Sequence, residues 1–307
     1  MKIEDMNYKR VSIVTPTFNQ GDFIEETIES VLSQNYPDLE YFIVDGGSTD
    51  QTVSIIKKYE KYLTGWISER DRGQAHAINK GLVRCTGEIF NWLNSDDYLE
   101  PGSLNEIARL FNEDGVHLVA GKVRLIGGDS DQLIDENKLL SAEGLMLWKP
   151  GVKFIQPGVW MRRTLLENCG GIDEKYHYCF DKDMLLRYLY YYPHVAYSDN
   201  VLVNFRFHEA SKTVSFRSRF SEETREIIRS VSNDSRLPGL HKGAKWRTRQ
   251  GDWLRFLRAT AAQKDESKLK RILKILACIH MQPMDSGGFR MTAGGIRRIL
   301  QGETIPE

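Results

Sequence analysis

The stretch VSIVTPTFNQG, residues 11–21, decides the fold class. Its apolar part, residues 11–15, predicts a buried strand, and residues 16–21 predict a loop that ends this strand. Directly afterwards, apolar residues recur at helical spacing over residues 23–34. The stretch therefore starts a unit of strand, loop and helix.

The same unit recurs along the chain. Further buried strands are predicted at residues 41–44, 66–68, 88–93 and 118–125, and helices at 52–59 and 74–84. A polar stretch at residues 127–143 predicts a mobile loop. Because strands and helices alternate on this scale, we predict an α/β fold with a mostly parallel central sheet flanked by helices.

Acidic residues follow two of the predicted strands. Asp45 comes after the second strand, and Asp96 and Asp97 come after the strand at 88–93. Ligands of α/β sheets bind beyond the carboxyl ends of the strands. Adjacent carboxylates repel unless a cation or donors offset their charge, and oxygen ligands suit hard cations such as Mg²⁺ or Mn²⁺. Asp96 and Asp97 are therefore a candidate metal site, with an ordinary turn before a helix as the alternative.

Composition excludes several classes of protein. The 307 residues are 41% hydrophobic and 27% charged, which is typical of a soluble globular chain. No run of about 18 apolar residues occurs, so we expect neither export nor a membrane span. Four scattered cysteines suit a reducing compartment, and we expect a cytoplasmic protein.

Charge divides the chain into two parts. Residues 216–307 contain 19 Lys and Arg against 10 Asp and Glu, a net charge of +9, which leaves −9 for residues 1–215. Apolar residues recur at helical spacing in 253–260 and 269–279. We therefore predict a catalytic domain at 1–215 and a basic, mainly helical appendage at 216–307.

Four motifs, in this order and spacing, resemble the family 2 glycosyltransferases: SIVTPTFN at 12–19, VDGGSTD at 44–50, DRGQ at 71–74 and NWLNSDD at 91–97. The resemblance extends to about residue 213. It implies a GT-A fold and an inverting reaction with a nucleotide-diphosphate sugar donor. A divalent metal, Mn²⁺ or Mg²⁺, is the implied cofactor.

The resemblance also assigns residues to the donor side of the site. It implies that the loop containing Thr15, Pro16 and Phe18 holds the nucleoside. Asp45 would bind the base or ribose, with a turn residue before a capped helix as the alternative. The remaining donor ligands would be Gln74, Asn94 and Asp96. Asp96 and Asp97 would supply the metal-binding carboxylates, although Asn94 stands where the family has a first Asp, so their division between metal and ribose stays open.

The general base that the resemblance implies is Asp181, which precedes a helix rich in Leu and Tyr. The family usually has an acidic pair here, and Phe180 replaces its first member. A base opposite the leaving diphosphate would take the acceptor's proton. The alternative is that Asp181 only caps the helix, which is the role we predict for Asp183.

Three further residues are candidates for the site. His208 resembles a family histidine that returns to the metal or diphosphate, but it could also be an ordinary surface histidine. Gln156 and Trp160 lie in a segment that resembles the acceptor side of the cleft. Trp160 could stack on a sugar or fill the core.

We therefore expect transfer of a single sugar to an acceptor hydroxyl, in surface polysaccharide or glycolipid assembly. The alternatives are a metal-dependent phosphoryl or nucleotidyl transferase and a non-catalytic nucleotide-sugar binding protein. The acceptor would be a saccharide or a lipid-linked saccharide. The basic C-terminal region could contact an anionic membrane at its inner face or simply pack as a helical pair, and we expect no nucleic acid partner.

Overall fold

The structure is a computed structural model, and it describes residues 8–127, 133–207, 217–263, 265–283 and 286–305. The chain forms two compact units, Met1–Glu223 and Thr224–Glu307. The functional boundary expected after residue 215 stays a prediction.

The first unit alternates strands and helices as expected. Its elements are β1 (Val11–Thr17), α1 (Ile24–Leu32), β2 (Leu39–Asp45), α2 (Thr52–Tyr59), β3 (Gly65–Ser68), α3 (Gln74–Leu82), β4 (Ile89–Trp92), β5 (Tyr98–Leu99), α4 (Ser103–Phe111), β6 (Leu118–Ile126), β7 (Leu133–Glu136), α5 (Ala142–Leu147), β8 (Val159–Arg162), α6 (Arg163–Asn168), α7 (Phe180–Tyr191) and β9 (Val195–Arg206). Helix α8 (Arg217–Val231) follows and continues into the second unit.

The strands of the described residues form one mixed sheet in the order β3-β2-β1-β4-β8-β6-β9-β5, with β7 paired to β6. Strands β3, β2, β1 and β4 are parallel, whereas β8 is antiparallel to both its neighbours. The α/β fold with a largely parallel sheet and flanking helices is confirmed. Because Thr17 pairs with Asp45, the loops after β1 and β2 leave the sheet at the same edge.

The core explains why β1 is apolar without alternation. Every residue of β1 is buried, because strands lie on both sides and the sheet is covered. Helix α1 packs its Ile24, Thr27, Ile28 and Val31 inward, a spacing that places them on one face. The strand ends are thus held rigidly.

The prediction of a mobile loop at residues 127–143 is wrong for the second half of that stretch. Strand β7 pairs antiparallel with β6, and Ser141 caps α5 by accepting a hydrogen bond from the Gly144 N–H at 3.1 Å. Residues 128–132 lie outside the described part. The residues of β7 are two apolar ones followed by two acidic ones, so the strand shows no alternation of apolar and polar residues that would have predicted it.

The second unit is helical, which confirms the predicted appendage. It contains the end of α8, then α9 (His241–Ala262), α10 (Lys268–Ala277) and α11 (Ser286–Gln301). Its own small core is formed by Trp253, Leu257, Ala261, Ile275 and Ile299. Among the helices described, none is long and apolar enough to cross a membrane.

Candidate active site

Two loops are joined at the carboxyl ends of β1 and β2. Asn19 adopts a left-handed conformation, with φ of 51°, which Asn tolerates better than most residues. Its N–H donates to Ser48 Oγ at 2.7 Å, and its side-chain oxygen accepts from the Thr49 N–H at 2.9 Å. The Gly21 N–H donates to Asp50 at 2.9 Å. The two loops therefore form one rim beside the sheet.

Asp45 organises this rim from beneath. Its buried carboxylate accepts hydrogen bonds from the Gly47 and Ser48 N–H groups, from Ser48 Oγ and, at 2.6 Å, from Ser68 Oγ. A carboxylate has about four acceptor positions. A nucleoside hydroxyl that donates to Asp45 would therefore share the carboxylate with these donors or displace one of them. The hydroxyls of Ser48 and Ser68 are the donors that can rotate away.

The predicted nucleoside loop divides into buried and exposed residues. Thr15 is fully buried and its hydroxyl lies 3.0 Å from that of Tyr41, while Pro16 is buried within β1. Their side chains therefore belong to the core. Phe18 is 58% exposed just beyond the strand. Thr17, which sequence reasoning missed, has a buried hydroxyl without a partner among the described residues.

The turn after β4 is held by a chain of hydrogen bonds. Gln74, the first residue of α3, donates to the Asn94 side-chain oxygen at 2.7 Å, and the Asn94 amide donates to Asp97 at 3.2 Å. Below the turn, the Thr27 hydroxyl donates to the carbonyl oxygens of Ser95 at 2.9 Å and Asp97 at 2.7 Å. Asn94 therefore positions Asp97 by a hydrogen bond and does not itself contribute a carboxylate.

The two adjacent carboxylates differ in exposure. Asp97 is fully buried and accepts the Arg206 N–H at 3.1 Å, whereas Asp96 is half-buried. Burial, reinforced by the neighbouring Asp96 carboxylate, raises the pKa of Asp97 well above its usual range. Asp96 is therefore the more exposed carboxylate of the pair.

Arg206 is a neighbour of the site that sequence reasoning did not single out. Its guanidinium lies 4.9 Å from the ring centre of Phe23 and 5.6 Å from that of Tyr98, and it pairs with Glu26 at 2.6 Å. Its backbone N–H reaches Asp97. No local pattern predicts this, because Arg206 is brought here by β9. The candidate His208 lies outside the described residues.

Asp181 lies in the first turn of α7, beside the same edge of the sheet. Phe180 packs on Trp92, the last residue of β4, with ring centres 5.9 Å apart. Burial raises the pKa of Asp181 to about 6, against the weaker opposing effect of the Lys182 N–H, which donates to its carboxylate at 2.7 Å. A carboxyl group suited to proton transfer near neutral pH therefore lies one residue from a ring that packs on the end of β4.

Asp183 does not cap the helix as predicted. It is buried and forms a pair of hydrogen bonds with Arg187, at 2.9 and 2.7 Å. Arg187 also donates to the carbonyl oxygens of Cys169 at 2.6 Å and Gly171 at 2.8 Å. Arg187 therefore fixes α7 to the end of α6 and the loop after it, and Asp183 supplies the charged partner that a buried guanidinium requires.

The two residues proposed for the acceptor side have different surroundings. Gln156 donates to the Asn91 side chain and to the Trp92 carbonyl, both at 3.1 Å. Trp160 has no exposed surface and belongs to the main core, so it cannot stack on a sugar in this structure. An aromatic ring that sequence reasoning missed, Trp148, is 52% exposed, and the Lys182 ammonium lies 4.7 Å from its centre.

A family model described as glycosyl transferase family 2 matches residues 12–170, more than half of the chain. The chain belongs to glycosyl transferase family 2. Its first curated relatives match over 36% to 65% of their own length, so the chain spans less than two thirds of them. One relative is a Campylobacter jejuni β-1,3-glucosyltransferase named for an undecaprenol-linked saccharide, 26% identical over 168 residues, which are 52% of this chain and 53% of that protein.

Two solved structures show that this family 2 chain has the GT-A fold. The S. aureus protein TarS, residues 1–349 with UDP-GlcNAc, aligns over 96% of this chain and 92% of its own, with a TM-score of 0.66 and 18% identity. A Pyrobaculum calidifontis mannosyltransferase with GDP-Man and Mn²⁺ aligns over 97% and 86%, with a TM-score of 0.60 and 18% identity.

Family 2 enzymes of this fold commonly use a divalent metal, and the residues present can be tested against one. Within the described ranges, no three His, Cys, Asp or Glu side chains cluster as a complete site. Of the two adjacent carboxylates, Asp96 is half-buried and Asp97 is fully buried. Mg²⁺ and related ions are often held by one or two carboxylates together with substrate phosphates. The donor set fits a metal that a diphosphate would help to bind.

Proposed function

We propose that the protein is an inverting glycosyltransferase that moves one sugar from a nucleotide-diphosphate sugar to an acceptor hydroxyl. The observation that carries this proposal is that two candidate carboxyl groups are tied to the end of β4. Half-buried Asp96 lies in the turn after the strand, and Asp181, with a pKa of about 6, directly follows Phe180, whose ring packs on Trp92 at the end of the strand.

The proposed reaction is a single displacement. Asp181 takes the proton of the acceptor hydroxyl while that oxygen forms a bond to the anomeric carbon. The bond from this carbon to the diphosphate oxygen breaks, and its electron pair leaves with the nucleoside diphosphate. Attack opposite the leaving group inverts the anomeric configuration.

On the donor side, we assign the nucleoside to the rim formed by the loops after β1 and β2. Phe18 offers an exposed ring, and Asp45 and Thr17 offer buried oxygen atoms at the strand ends. Gln74 and Asn94 border the diphosphate side through their mutual hydrogen bond. Mn²⁺ or Mg²⁺ would be held by Asp96, with Asp97 and His208 as further candidates, and when bound would neutralise charge on the departing diphosphate.

On the acceptor side, we assign sugar stacking to Trp148 in place of Trp160. The exposed ring of Trp148 lies beside Lys182, which directly follows the proposed base. We keep Gln156, which donates to the Trp92 carbonyl at the end of β4, as the second acceptor-side residue. The acceptor would be a saccharide or a lipid-linked saccharide, as the name of the C. jejuni relative suggests.

The decisive experiment is product analysis with UDP- and GDP-sugars, soluble and lipid-linked saccharides, and Mn²⁺. Release of nucleoside diphosphate in proportion to glycosylated acceptor, with inverted anomeric configuration by NMR, is expected. Release of pyrophosphate or nucleoside monophosphate would instead indicate a phosphoryl or nucleotidyl transferase. A rise in melting temperature with a nucleotide sugar, without turnover on any acceptor, would favour a binding protein.

We further propose that the second unit contacts an anionic membrane and brings the enzyme to a lipid-linked acceptor at the inner face. Residues 224–307 contain 17 Lys and Arg against 8 Asp and Glu. On α10, Leu269, Leu273 and Leu276 are 67%, 56% and 46% exposed, and their spacing places them on one face. Apolar side chains in a basic region match the surface of anionic lipids.

Co-sedimentation of the full chain with vesicles tests this contact. Binding to anionic but not neutral vesicles, weakened by salt and by Leu273→Glu, is expected. The control is Ile134→Glu, which makes the same charge change at an exposed apolar residue of the first unit. Equal binding of both variants to anionic vesicles would overturn the proposal. A protein that forms a stable dimer and does not bind vesicles would also overturn it.

A further inference from the structure

Glu223, on α8, lies beyond the region that the sequence assigned to catalysis. Its carboxylate accepts three hydrogen bonds from consecutive backbone N–H groups: from His177 at 2.9 Å, Tyr178 at 2.7 Å and Cys179 at 2.8 Å. These residues directly precede α7, and Asp181 follows two positions later. Glu223 therefore holds the segment from which the proposed base projects.

The three hydrogen bonds form a strong anchor. Successive N–H groups that point to one place create a concavity for an anion, and hydrogen bonds to a charged acceptor are about twice as strong as neutral ones. Residues 177–179 have no place in a helix or strand, so they receive no regular ladder of hydrogen bonds. The carboxylate of Glu223 supplies the acceptors that regular structure would otherwise provide.

One turn earlier, α8 contacts the same segment. The Phe220 ring meets that of Tyr178 edge to face, with centres 5.5 Å apart, and the Phe220 carbonyl accepts from Cys179 Sγ at 3.4 Å. Phe220 and Glu223 are three positions apart, so both lie on one face of α8. This face of α8 thus packs against the segment at the start of α7.

We propose that Glu223 is a positioning residue, which fixes the first turn of α7 and thereby the direction of the Asp181 carboxylate during glycosyl transfer. This inference rests on the proposed function. Catalytic groups must be held closely to the productive geometry, and a misplacement of about 1 Å can lower a rate about a hundredfold. The contact is strong enough for this purpose and lies close to the base.

The position of Glu223 has a second, electrostatic consequence. Burial is the main cause of the raised pKa of Asp181, and the Glu223 carboxylate raises it further, whereas Lys182 lowers it. Glu223→Gln should therefore lower the pKa of Asp181. The acidic limb of the rate profile should move to lower pH, which a merely structural contact would not cause.

The test compares Glu223→Ala and Glu223→Gln with the control Glu222→Gln. Glu222 is the exposed neighbour, and it pairs with Arg219 at 3.6 Å instead. We expect kcat to fall by about tenfold or more in the Ala variant, with donor KM within about threefold of wild type. The Gln variant should retain more activity, because its amide oxygen still accepts, and should show the shifted acidic limb. The control should match wild type.

The outcomes separate this inference from the proposed function. If the wild type transfers sugar and both Glu223 variants match its kcat and pH profile within twofold, the positioning role is refuted. A rise in donor KM equal to the loss in kcat, together with a large fall in melting temperature, would also refute it. If the wild type transfers no sugar to any acceptor, the proposed function itself fails.

Discussion

Replacement of Asp181 by Asn should have opposite effects on activity and stability. The pKa of this carboxyl group rises from an ordinary 3.8 to about 6, chiefly through burial. That difference corresponds to about 3 kcal/mol of destabilisation where the group is charged. Asn removes the charge, and its side-chain oxygen can still accept the Lys182 N–H. We therefore expect the free energy of unfolding at pH 7 to rise by about 1 to 3 kcal/mol.

The direction in which stability changes with pH follows from proton binding. Because the folded-state pKa is the higher one, the folded protein binds more protons than the unfolded chain between about pH 4 and pH 6. The stability of the wild type therefore decreases, through this group, as pH rises across that window. The advantage of the Asn variant should be largest at pH 7 and close to zero at pH 4.

Activity should change in the other direction. Asn cannot take the acceptor's proton, so kcat should fall about a hundredfold or more, with little change in donor affinity. In the wild type, kcat should be about tenfold lower at pH 5 than at pH 7, since protonation near pH 6 removes the base. An Asp with an ordinary pKa would show almost no change over this range.

Urea unfolding at pH 7 and pH 4, combined with steady-state kinetics, measures both effects. The matched control is Asp183→Asn, two residues along the same helix turn, which should destabilise the protein because Arg187 loses its charged partner. A less stable Asp181→Asn variant at pH 7, or one that retains more than about a tenth of wild-type kcat, would refute the reasoning.

Three other predictions concern the metal, the helix anchor and the acceptor. Asp96→Asn should abolish stimulation by Mn²⁺ with an unchanged melting temperature, and full stimulation in a metal titration would contradict the assignment. Asp183→Ala should lower the free energy of unfolding by about 3 kcal/mol. Adding Arg187→Met should recover part of this loss, because no buried charge is then left unpaired. A denaturant titration in which the two substitutions lower the free energy of unfolding additively would contradict this. Trp148→Ala should raise acceptor KM several-fold without loss of stability, whereas Trp160→Ala should cost about 3 to 5 kcal/mol of stability. Kinetics and melting curves that reversed these two effects would contradict the assignment of Trp148 to the acceptor side.

The alternation of strands and helices was readable from the sequence because hydrophobic periodicity is local. The run at residues 11–15 had to be buried on both faces, and the residues after it had to leave the sheet. Parallel strands end at one edge, so Asp45 and the Asp96–Asp97 pair could be assigned to that edge before their contacts were known. The antiparallel β7 was missed because its residues carry no alternation.

The roles of chemically similar residues required the tertiary structure. Trp160 and Trp148 are the same residue type, and only their places, in a central strand and after a short helix, decided which is buried and which is exposed. Asp181 and Asp183 are two positions apart on one helix, so they point to different sides of it, and Asp183 is the one that pairs with Arg187. The sequence determined the first strands and helices and the candidate acids, because those depend on neighbours along the chain. Which acid is buried, which is paired and which is held by Glu223 depended on contacts between residues distant in sequence, and no local pattern encodes those.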